Sequence, residues 1–396
     1  MSRTQHTVIV SAVRTPMGSF NGVFSALPAT KLGSIAIAEA LKRAHVRPDQ
    51  VDAVYMGCVL SAGLGQAPAR QASIGADIPH SVGATTVNKV CGSSLKTVIM
   101  AAQAIALEEA NIIVAGGMEN MTRAPYLLEK ARQGFRLGHA EIVDSVIKDG
   151  LWDVYNNFHM GDGGELCAAK YRLTRQEVDD FALESYRRAQ HAIATGVFKR
   201  EVVPVEVPQR KGPPQSVVVD EEPHKADLNK MRDLKPAFKK DGLLTVGNSP
   251  SCNDGAAALV VMAEEEAARL GLAPMARIIG YAGAAIAPEW FTIAPIEAIK
   301  LVLKKTGLSI NDIDLFEINE AFSAVSVAIN RELGLDPKKV NVNGGAVALG
   351  HPIGATGARI LTTLLYALDA NGMRRGLATL CIGGGEALAI VVERMS

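Results

Sequence analysis

The sequence comprises 396 residues, of which 48% are hydrophobic, and its 41 basic side chains balance its 41 acidic ones. This length exceeds what one ordinary hydrophobic core requires, so it predicts two or three domains. The balanced charge provides no general basic field, which argues against nucleic-acid binding. No apolar run reaches the roughly 18 residues that span a bilayer.

Five cysteines without repeated spacing, none of them in a CxxC pair, predict neither a disulfide framework nor a zinc site. Residues 1–10 contain neither the long apolar stretch of a signal peptide nor an arginine-rich amphipathic presequence. We therefore expect a cytoplasmic protein with no metal site and no membrane segment.

Short β-branched runs alternate with helical patterns at the start of the chain, which is typical of an α/β fold. The periodicity predicts strands over residues 7–13, 51–59, 85–90 and 111–115. It predicts helices over residues 31–44 and 93–109.

Residues 121–250 differ in character, because they are rich in charge and proline and contain one long helical pattern over 176–195. The apolar periodicity of that helix requires a packing partner, which a linker would not provide. We interpret this segment as a large insertion in the first half of the chain.

The last part of the chain repeats the order of elements found in the first. Residues 308–318 resemble 46–56, residues 340–342 correspond to 86–90, and a helix over 357–368 precedes a strand over 377–382. Chance likeness of two α/β segments is the alternative, but agreement in the order of several features favours an internal duplication. The predicted domains are residues 1–120 with 251–272, residues 121–250, and residues 273–396.

Cys91 lies between a predicted strand and the helix that follows, where its sulfur would face the positive end of the helix dipole. That position lowers the pKa of a thiol and favours the nucleophilic thiolate. A buried structural cysteine explains the segment equally well.

His351 stands among five glycines, just before an apolar helix. Such glycine density permits unusual backbone angles and a close approach of a ligand to the main chain. A lone histidine is more often structural, but this one occupies the position that corresponds to Cys91 in the duplicated half. The setting therefore favours a functional role.

Two further candidates follow strands in the second half. Cys381 ends an apolar strand and precedes a glycine run that begins at Gly383, whose backbone N–H groups could hold an oxyanion. A tight turn is the alternative. Asn319 follows the strand over 314–318, where its amide could orient a water or cap the next helix.

Taken together, these segments resemble the thiolase family over essentially the whole chain. The resemblance is carried in family order by Asn88-Lys-Val-Cys91, Gly116-Gly-Met-Glu-Asn-Met, Asn253-Asp-Gly-Ala-Ala-Ala, Asn319-Glu-Ala-Phe, residues 344–359 and Cys381-Ile-Gly-Gly-Gly. It implies an α/β thiolase fold, with two duplicated, five-layered αβαβα halves and an inserted loop domain.

The resemblance also implies a role for each candidate. Cys91 would be the nucleophile that takes an acyl group, and His351 would be its base. Cys381 would exchange the α-proton of the second acyl group. Asn319 would position a water at the enolate oxygen, while the backbone amides of Cys91 and Gly383 would hold the tetrahedral oxyanion.

By the same resemblance, coenzyme A and acyl-CoA are substrates, and no tightly bound cofactor is expected. His159 and Met160 would contact pantetheine, although core packing explains Met160 equally well. Basic residues of the insertion could meet the nucleotide phosphates, although solvated surface charge explains any single one of them better. These basic residues are Arg210, Lys211, Lys225 and Arg232.

The chain departs from the family pattern at several positions, none of which is a candidate catalytic residue. Pro250 removes a hydroxyl that could bond pantetheine, and Cys252 adds a thiol. Met160-Gly-Asp-Gly-Gly-Glu replaces a usual Thr-Ala-Glu stretch, and Glu386-Ala387 follows the glycine run where Met-Gly is common. These departures leave the acyl chain length open.

The first functional expectation is an acetyl-CoA C-acetyltransferase, whose partners are acetyl-CoA, acetoacetyl-CoA and CoA. The alternatives are a degradative 3-ketoacyl-CoA thiolase of broader chain length and a non-catalytic thiolase-like scaffold subunit. A decarboxylating ketoacyl synthase is a further alternative, but such enzymes lack the second catalytic cysteine, so Cys381 argues against it. The resemblance further predicts a homodimer or homotetramer, with residues 126–139 as the candidate tetramer contact.

Overall fold

A computed structural model describes residues 5–395 of the chain. Its strands are β1 Thr7–Arg14, β2 Gly18–Ser19, β3 Ala53–Gly57, β4 Gly83–Val87, β5 Ile112–Asn120, β6 Tyr126–Leu127, β7 Val143–Asp144, β8 Trp152–Asp153, β9 Phe158–His159, β10 Val205–Val207, β11 Gln215–Val217, β12 Asn253–Ala263, β13 Ala276–Ala285, β14 Leu315–Ile318, β15 Arg375–Ile382 and β16 Glu386–Arg394. Its α-helices are α1 Ala29–Ala44, α2 Pro68–Ile74, α3 Ser93–Ala106, α4 Met160–Lys170, α5 Arg175–Thr195, α6 Glu264–Arg269, α7 Ala294–Thr306, α8 Ser323–Leu333, α9 Ala346–Leu349 and α10 Thr356–Ala370. This alternation confirms the predicted α/β class. Within residues 5–395, no helix is long and apolar enough to cross a membrane.

Most of the longer strands join one mixed sheet in the order β14-β15-β16-β13-β1-β12-β5-β3-β4. The first half of the chain supplies β1, β3, β4, β5 and β12, and the second half supplies the others. The halves meet between β1 and β13, where the pairing is limited to Val8 with Arg277 and Ile9 with Ala276. The sheet therefore consists of two smaller sheets joined by one short contact.

The two smaller sheets share their strand directions. In the first half β3 runs parallel to β5, and β5 runs antiparallel to β12. In the second half β14 runs parallel to β15, and β15 runs antiparallel to β16. This correspondence agrees with the predicted duplication.

One predicted counterpart is reduced in the second half, because residues 340–342 form only a single bridge, between Val340 and Phe316. The side chain of Asn341 takes the place of further strand pairing. Its Oδ1 accepts from the Ile318 N–H at 2.8 Å, and its Nδ2 donates to the Ile318 carbonyl at 2.8 Å. The chain is thus free to leave the sheet and enter the glycine-rich loop that contains His351.

Three hydrophobic clusters define five layers across both halves. Helices α1 and α2 cover the outer face of the first sheet. Helices α3 and α10 lie side by side between the two sheets, and α7 and α8 cover the second sheet. The αβαβα layers are therefore built by the two halves together, each of which provides one sheet.

The segment between β5 and β12 is anchored to the first sheet by a buried guanidinium. Arg14 on β1 is fully buried and donates to Glu201 at 2.5 Å and to Asp220 at 2.6 and 2.9 Å. Removing either carboxylate would leave a buried charge uncompensated, so these bonds hold the segment firmly to β1. The anchored segment can therefore present a fixed wall to a site on the sheet.

Candidate active site

Cys91 stands on a strained loop between β4 and α3. The strand ends at Val87, earlier than the sequence predicts, because the loop that follows is held in another conformation. Val90 has φ +46°, which is unfavourable for a β-branched residue. Asn88 Oδ1 accepts from the Val90 N–H at 3.0 Å, and Ser93 Oγ donates to the Val90 carbonyl at 2.6 Å. These bonds fix Cys91 at the beginning of the helix.

His351 stands on the matching loop before α10, and its hydrogen bonds define its tautomer. The single hydroxyl proton of Thr356 goes to the Pro352 carbonyl, 2.9 Å from Oγ1. Thr356 Oγ1 must then accept from His351 Nδ1–H, 2.6 Å away. We assign the proton of the neutral imidazole to Nδ1 on this basis, which leaves Nε2 as a proton acceptor.

A buried carboxylate joins the loop after β3 to the loop that carries His351. Glu119 accepts from the backbone N–H of Val59 at 3.0 Å, Leu60 at 3.2 Å and Gly354 at 2.9 Å. Burial raises the pKa of Glu119 to about 7, although these three bonds favour its charged form. Its place in the Gly-Gly-Met-Glu motif is the signal by which the sequence could have revealed it.

Cys91, His351, Cys381 and Gly383 line one cavity of about 280 Å³, and the predicted pantetheine contacts His159 and Met160 lie in its wall. The four come from three chain segments, since Cys381 and Gly383 both stand at the end of β15. The remaining lining residues are mainly apolar, namely Met121, Ile147, Gly150, Leu151, Phe238, Pro250, Ser251, Cys252, Phe291, Ala321, Phe322 and Ile353. An apolar lining of this kind strengthens electrostatic interactions within the cavity.

Burial raises the pKa of the Cys91 thiol to about 11. The backbone N–H groups of Gly383 and of Cys91 itself face the sulfur and lower this pKa by a smaller amount. The lowered pKa expected from the helix dipole is therefore wrong in direction, because desolvation of the thiolate outweighs the dipole. The same burial lowers the pKa of His351 to about 3, with help from the charge of Arg359.

The resting pair is consequently a neutral thiol beside a neutral imidazole. Burial, and then the neighbouring Cys91, also raise the pKa of Cys381 well above its usual range. Each thiol therefore needs a partner to take its proton, and Nε2 of His351 is an unprotonated nitrogen in the same cavity.

Asn319 is buried behind the cavity wall and is not among the residues that line the cavity. Its backbone N–H donates to the Thr379 carbonyl at 3.0 Å, which holds the end of β14 beside β15. Within the described residues, both polar atoms of its amide have no hydrogen-bond partner. A buried amide of this kind is available to a small polar ligand such as water.

Family profiles match both halves of the chain. The profile described as "Thiolase, N-terminal domain" matches residues 7–265, and that described as "Thiolase, C-terminal domain" matches residues 272–394. The chain belongs to the thiolase family.

Three relatives that match this thiolase over nearly the whole chain are named as acetyl-CoA acetyltransferases. The "Acetyl-CoA acetyltransferase" of Schizosaccharomyces pombe is 50% identical over 388 residues, which cover 98% of each chain. "Acetyl-CoA acetyltransferase 1" of Arabidopsis thaliana is 53% identical over 391 residues, covering 98% of this chain and 94% of the relative. The mouse protein "Acetyl-CoA acetyltransferase, cytosolic" is 50% identical, with 98% of both chains covered.

A solved structure confirms the fold at full length. The crystal structure of the acetyl-CoA acetyltransferase of Bacillus anthracis superposes with a TM-score of 0.97 at 40% identity, and the match covers 100% of both chains.

The predicted phosphate contacts of this thiolase do not line the catalytic cavity. Lys225 Nζ lies 2.7 Å from Glu221 Oε1 and 2.6 Å from Ser19 Oγ, and Arg232 pairs with Asp180. Arg210 and Lys211 are exposed on the loop between β10 and β11. Sequence reasoning grouped these residues by charge alone, and the structure does not bring them to the cavity.

Phe238 is a cavity residue that sequence reasoning missed. Its ring stacks on that of His159, with centroids 5.3 Å apart and planes 19° apart. Its edge meets Phe322 at 5.8 Å. Thr356 was also missed, because its role depends on the histidine five residues earlier and on the turn between them.

Proposed function

We propose that this thiolase is an acetyl-CoA C-acetyltransferase, which condenses two acetyl-CoA molecules to acetoacetyl-CoA and CoA and catalyses the reverse. The observation that carries the proposal is the convergence of Cys91, His351 and Cys381 on one apolar cavity. The names of the relatives from yeast, plant and mouse support the same activity.

The first step of cleavage uses the neutral pair. His351 Nε2 takes the proton of Cys91, and the sulfur attacks the 3-keto carbonyl of acetoacetyl-CoA. The backbone N–H groups of Cys91 and Gly383 hold the oxyanion of the tetrahedral intermediate. This intermediate then loses its C2–C3 bond, which leaves acetyl-Cys91 and the enolate of acetyl-CoA.

Cys381 completes the first half of the reaction. The enolate oxygen accepts a hydrogen bond from His351 Nε2–H, which now carries the proton taken from Cys91, and another from a water on the Asn319 amide. The Cys381 thiol gives its proton to the enolate carbon. A raised pKa suits this role, because it keeps the thiol protonated until the enolate forms. The protonated His351 then returns a proton to Cys381, the neutral imidazole takes the proton of CoA–SH, and the CoA thiolate takes the acetyl group. Cys91 regains its proton from His351. Condensation is the reverse sequence.

The insertion, residues 121–250, provides the coenzyme A site of the proposed enzyme. His159, Met160 and Phe238 form an apolar wall that fits the pantetheine arm. Lys225 and Arg232 are half-exposed and pair with Glu221 and Asp180, so the exposed cation of either can turn to a nucleotide phosphate.

Thiolysis of a chain-length series tests the proposed function. We expect purified protein to cleave acetoacetyl-CoA well and 3-ketohexanoyl- and 3-ketopalmitoyl-CoA poorly, with Cys91→Ala inactive on all three substrates. Activity that rises with chain length would instead identify a degradative 3-ketoacyl-CoA thiolase. A folded protein without activity on any substrate would refute the enzyme and favour a scaffold subunit.

The proposed enzyme assembles as a homotetramer. β4 lies at the edge of the main sheet, where its free backbone groups can pair with a second copy. The segment 126–139 and its flank expose the large apolar side chains Phe135, Leu137 and Ile142, which fit a contact between dimers.

Light scattering of the purified protein is expected to give four times the chain mass of 41.9 kDa. The double variant Phe135→Glu/Leu137→Glu should give two chains, because buried carboxylates oppose the contact. Leu107→Glu, which alters another exposed leucine, is the matched control and should remain tetrameric. A wild-type mass of two chains would remove the role of 126–139.

We place the proposed enzyme in the cytoplasm, as the name of the mouse relative places that protein in the cytosol. Recovery of the native protein in an organelle fraction would contradict this location.

A further inference from the structure

An ion pair joins the nucleophile loop to the oxyanion turn across the two halves of the chain. Lys89 Nζ, two residues before Cys91, bonds to Glu386 Oε2. Glu386 directly follows Gly385 and begins β16, so it stands at the end of the turn that carries Gly383. The side chains are only 28% and 38% exposed, which reduces screening by solvent.

The loop that carries Lys89 does not keep its shape by local preference alone. Val90 holds φ +46°, a conformation that costs a β-branched residue free energy and persists only when its surroundings impose it. Local bonds from Asn88 and Ser93 fix the loop relative to α3. The start of α3 is itself tied to the second half, since Ser94 Oγ accepts from the Ala358 N–H of α10 at 2.9 Å, but none of these bonds reaches the turn that carries Gly383.

A second contact between the loop and the second half lies at Gly92. A Cβ atom at this position would stand 2.4 Å from Cδ1 of Ile382, so the Gly92 backbone lies against the side chain of the last residue of β15. The contact at Gly92 lies on one side of Cys91 and the ion pair of Lys89 lies on the other. Together the two contacts hold the loop against the end of β15 and the start of β16.

We propose that Lys89 and Glu386 are positioning residues, whose ion pair holds the Cys91 sulfur in line with the backbone N–H of Gly383. The inference rests on the roles proposed above for Cys91 and Gly383 and extends them to a departure from the family pattern at Glu386. An oxyanion site depends on donors that are fixed before the reaction begins, and small displacements of a catalytic group are costly.

The test measures thiolysis of acetoacetyl-CoA by Lys89→Met, Glu386→Gln and the reversed pair Lys89→Glu/Glu386→Lys. Each single variant is expected to lower kcat about tenfold to a hundredfold with KM for CoA nearly unchanged, because positioning is lost and substrate binding is not. The reversed pair should recover most of the lost kcat, and the melting temperature of each variant should stay near that of the wild type. Lys300→Met, which breaks an exposed pair with Glu297 on α7, is the matched control.

The same assay separates this inference from the proposed function. Activity that survives in Cys91→Ala would overturn the catalytic roles themselves. An inactive Cys91→Ala together with a Lys89→Met variant that keeps at least half the wild-type kcat would overturn the positioning pair alone. A reversed pair no more active than the single variants would also overturn it, since local effects of each substitution would then explain the loss of kcat without an ion pair.

Discussion

Replacing Cys381 with alanine is expected to abolish acetoacetyl-CoA thiolysis while leaving acetyl transfer between CoA molecules intact. Proton transfer to and from carbon requires Cys381, whereas acylation of Cys91 requires only His351 and the oxyanion donors. General acid–base catalysis contributes up to about 10⁴-fold, so we expect a loss of that order in carbon–carbon bond cleavage. The raised pKa of Cys381 keeps its thiol protonated until the enolate forms, and alanine provides no such proton.

Two assays on one preparation distinguish the half-reactions. Exchange of labelled CoA into acetyl-CoA reports acetyl transfer through Cys91, and thiolysis reports the carbon–carbon step. Cys167→Ala, which removes another buried thiol outside the cavity, should retain both activities. If Cys381→Ala lost exchange as fully as thiolysis, Cys381 would act in acylation and its separate role would be wrong.

Replacing His351 with alanine should instead lower both half-reactions, by about 10⁴-fold in kcat. With the pKa of Cys91 near 11 and that of His351 near 3, the histidine is a neutral base across the whole range of ordinary assays. Without His351 the Cys91 thiol stays protonated, and no acid is left to give a proton to the Cys91 sulfur when the acetyl group departs. The activity of the wild type should show no acid limb that reports this histidine above about pH 4.

Thr356→Val provides the graded companion to that experiment. Loss of the hydroxyl removes the partner of Nδ1–H, so the imidazole can adopt the tautomer in which Nε2 carries the proton. We expect a loss in kcat that is clearly smaller than that of His351→Ala and no change in KM. Both half-reactions should be followed by CoA exchange and thiolysis. Exchange at the wild-type rate in His351→Ala would show that another base serves Cys91.

Much of the fold could be predicted from the sequence, because periodicity and helix-capping residues are local signals. The helix predicted over 176–195 is α5, which begins at Arg175 after a capping box formed by Thr174 and Glu177. The strand predicted over 85–90 ends at Val87 instead, because Val90 adopts a positive φ that β-branched composition does not reveal. Residues 340–342 do not form a strand, because the side chain of Asn341 makes the hydrogen bonds to β14 that strand backbone would otherwise make.

The candidate site could be predicted where function depends on one residue in a distinctive local setting, as for Cys91 and His351. The direction in which the pKa of Cys91 shifts could not be predicted, because the burial that raises it comes from residues distant in sequence. Phe238 was missed for the same reason, since its stacking on His159 spans about a fifth of the chain. Contacts between residues that are distant in sequence become visible only in the folded structure.

The short junction between β1 and β13 bears on whether one half of the chain could be active without the other. The proposed nucleophile precedes α3 and the proposed base precedes α10, and these helices lie side by side in the central layer. Each half of the chain therefore brings only part of the chemistry, and the reacting atoms meet at the seam. A polypeptide cut between β12 and β13 would be two inert fragments, and activity would return only through their complementation.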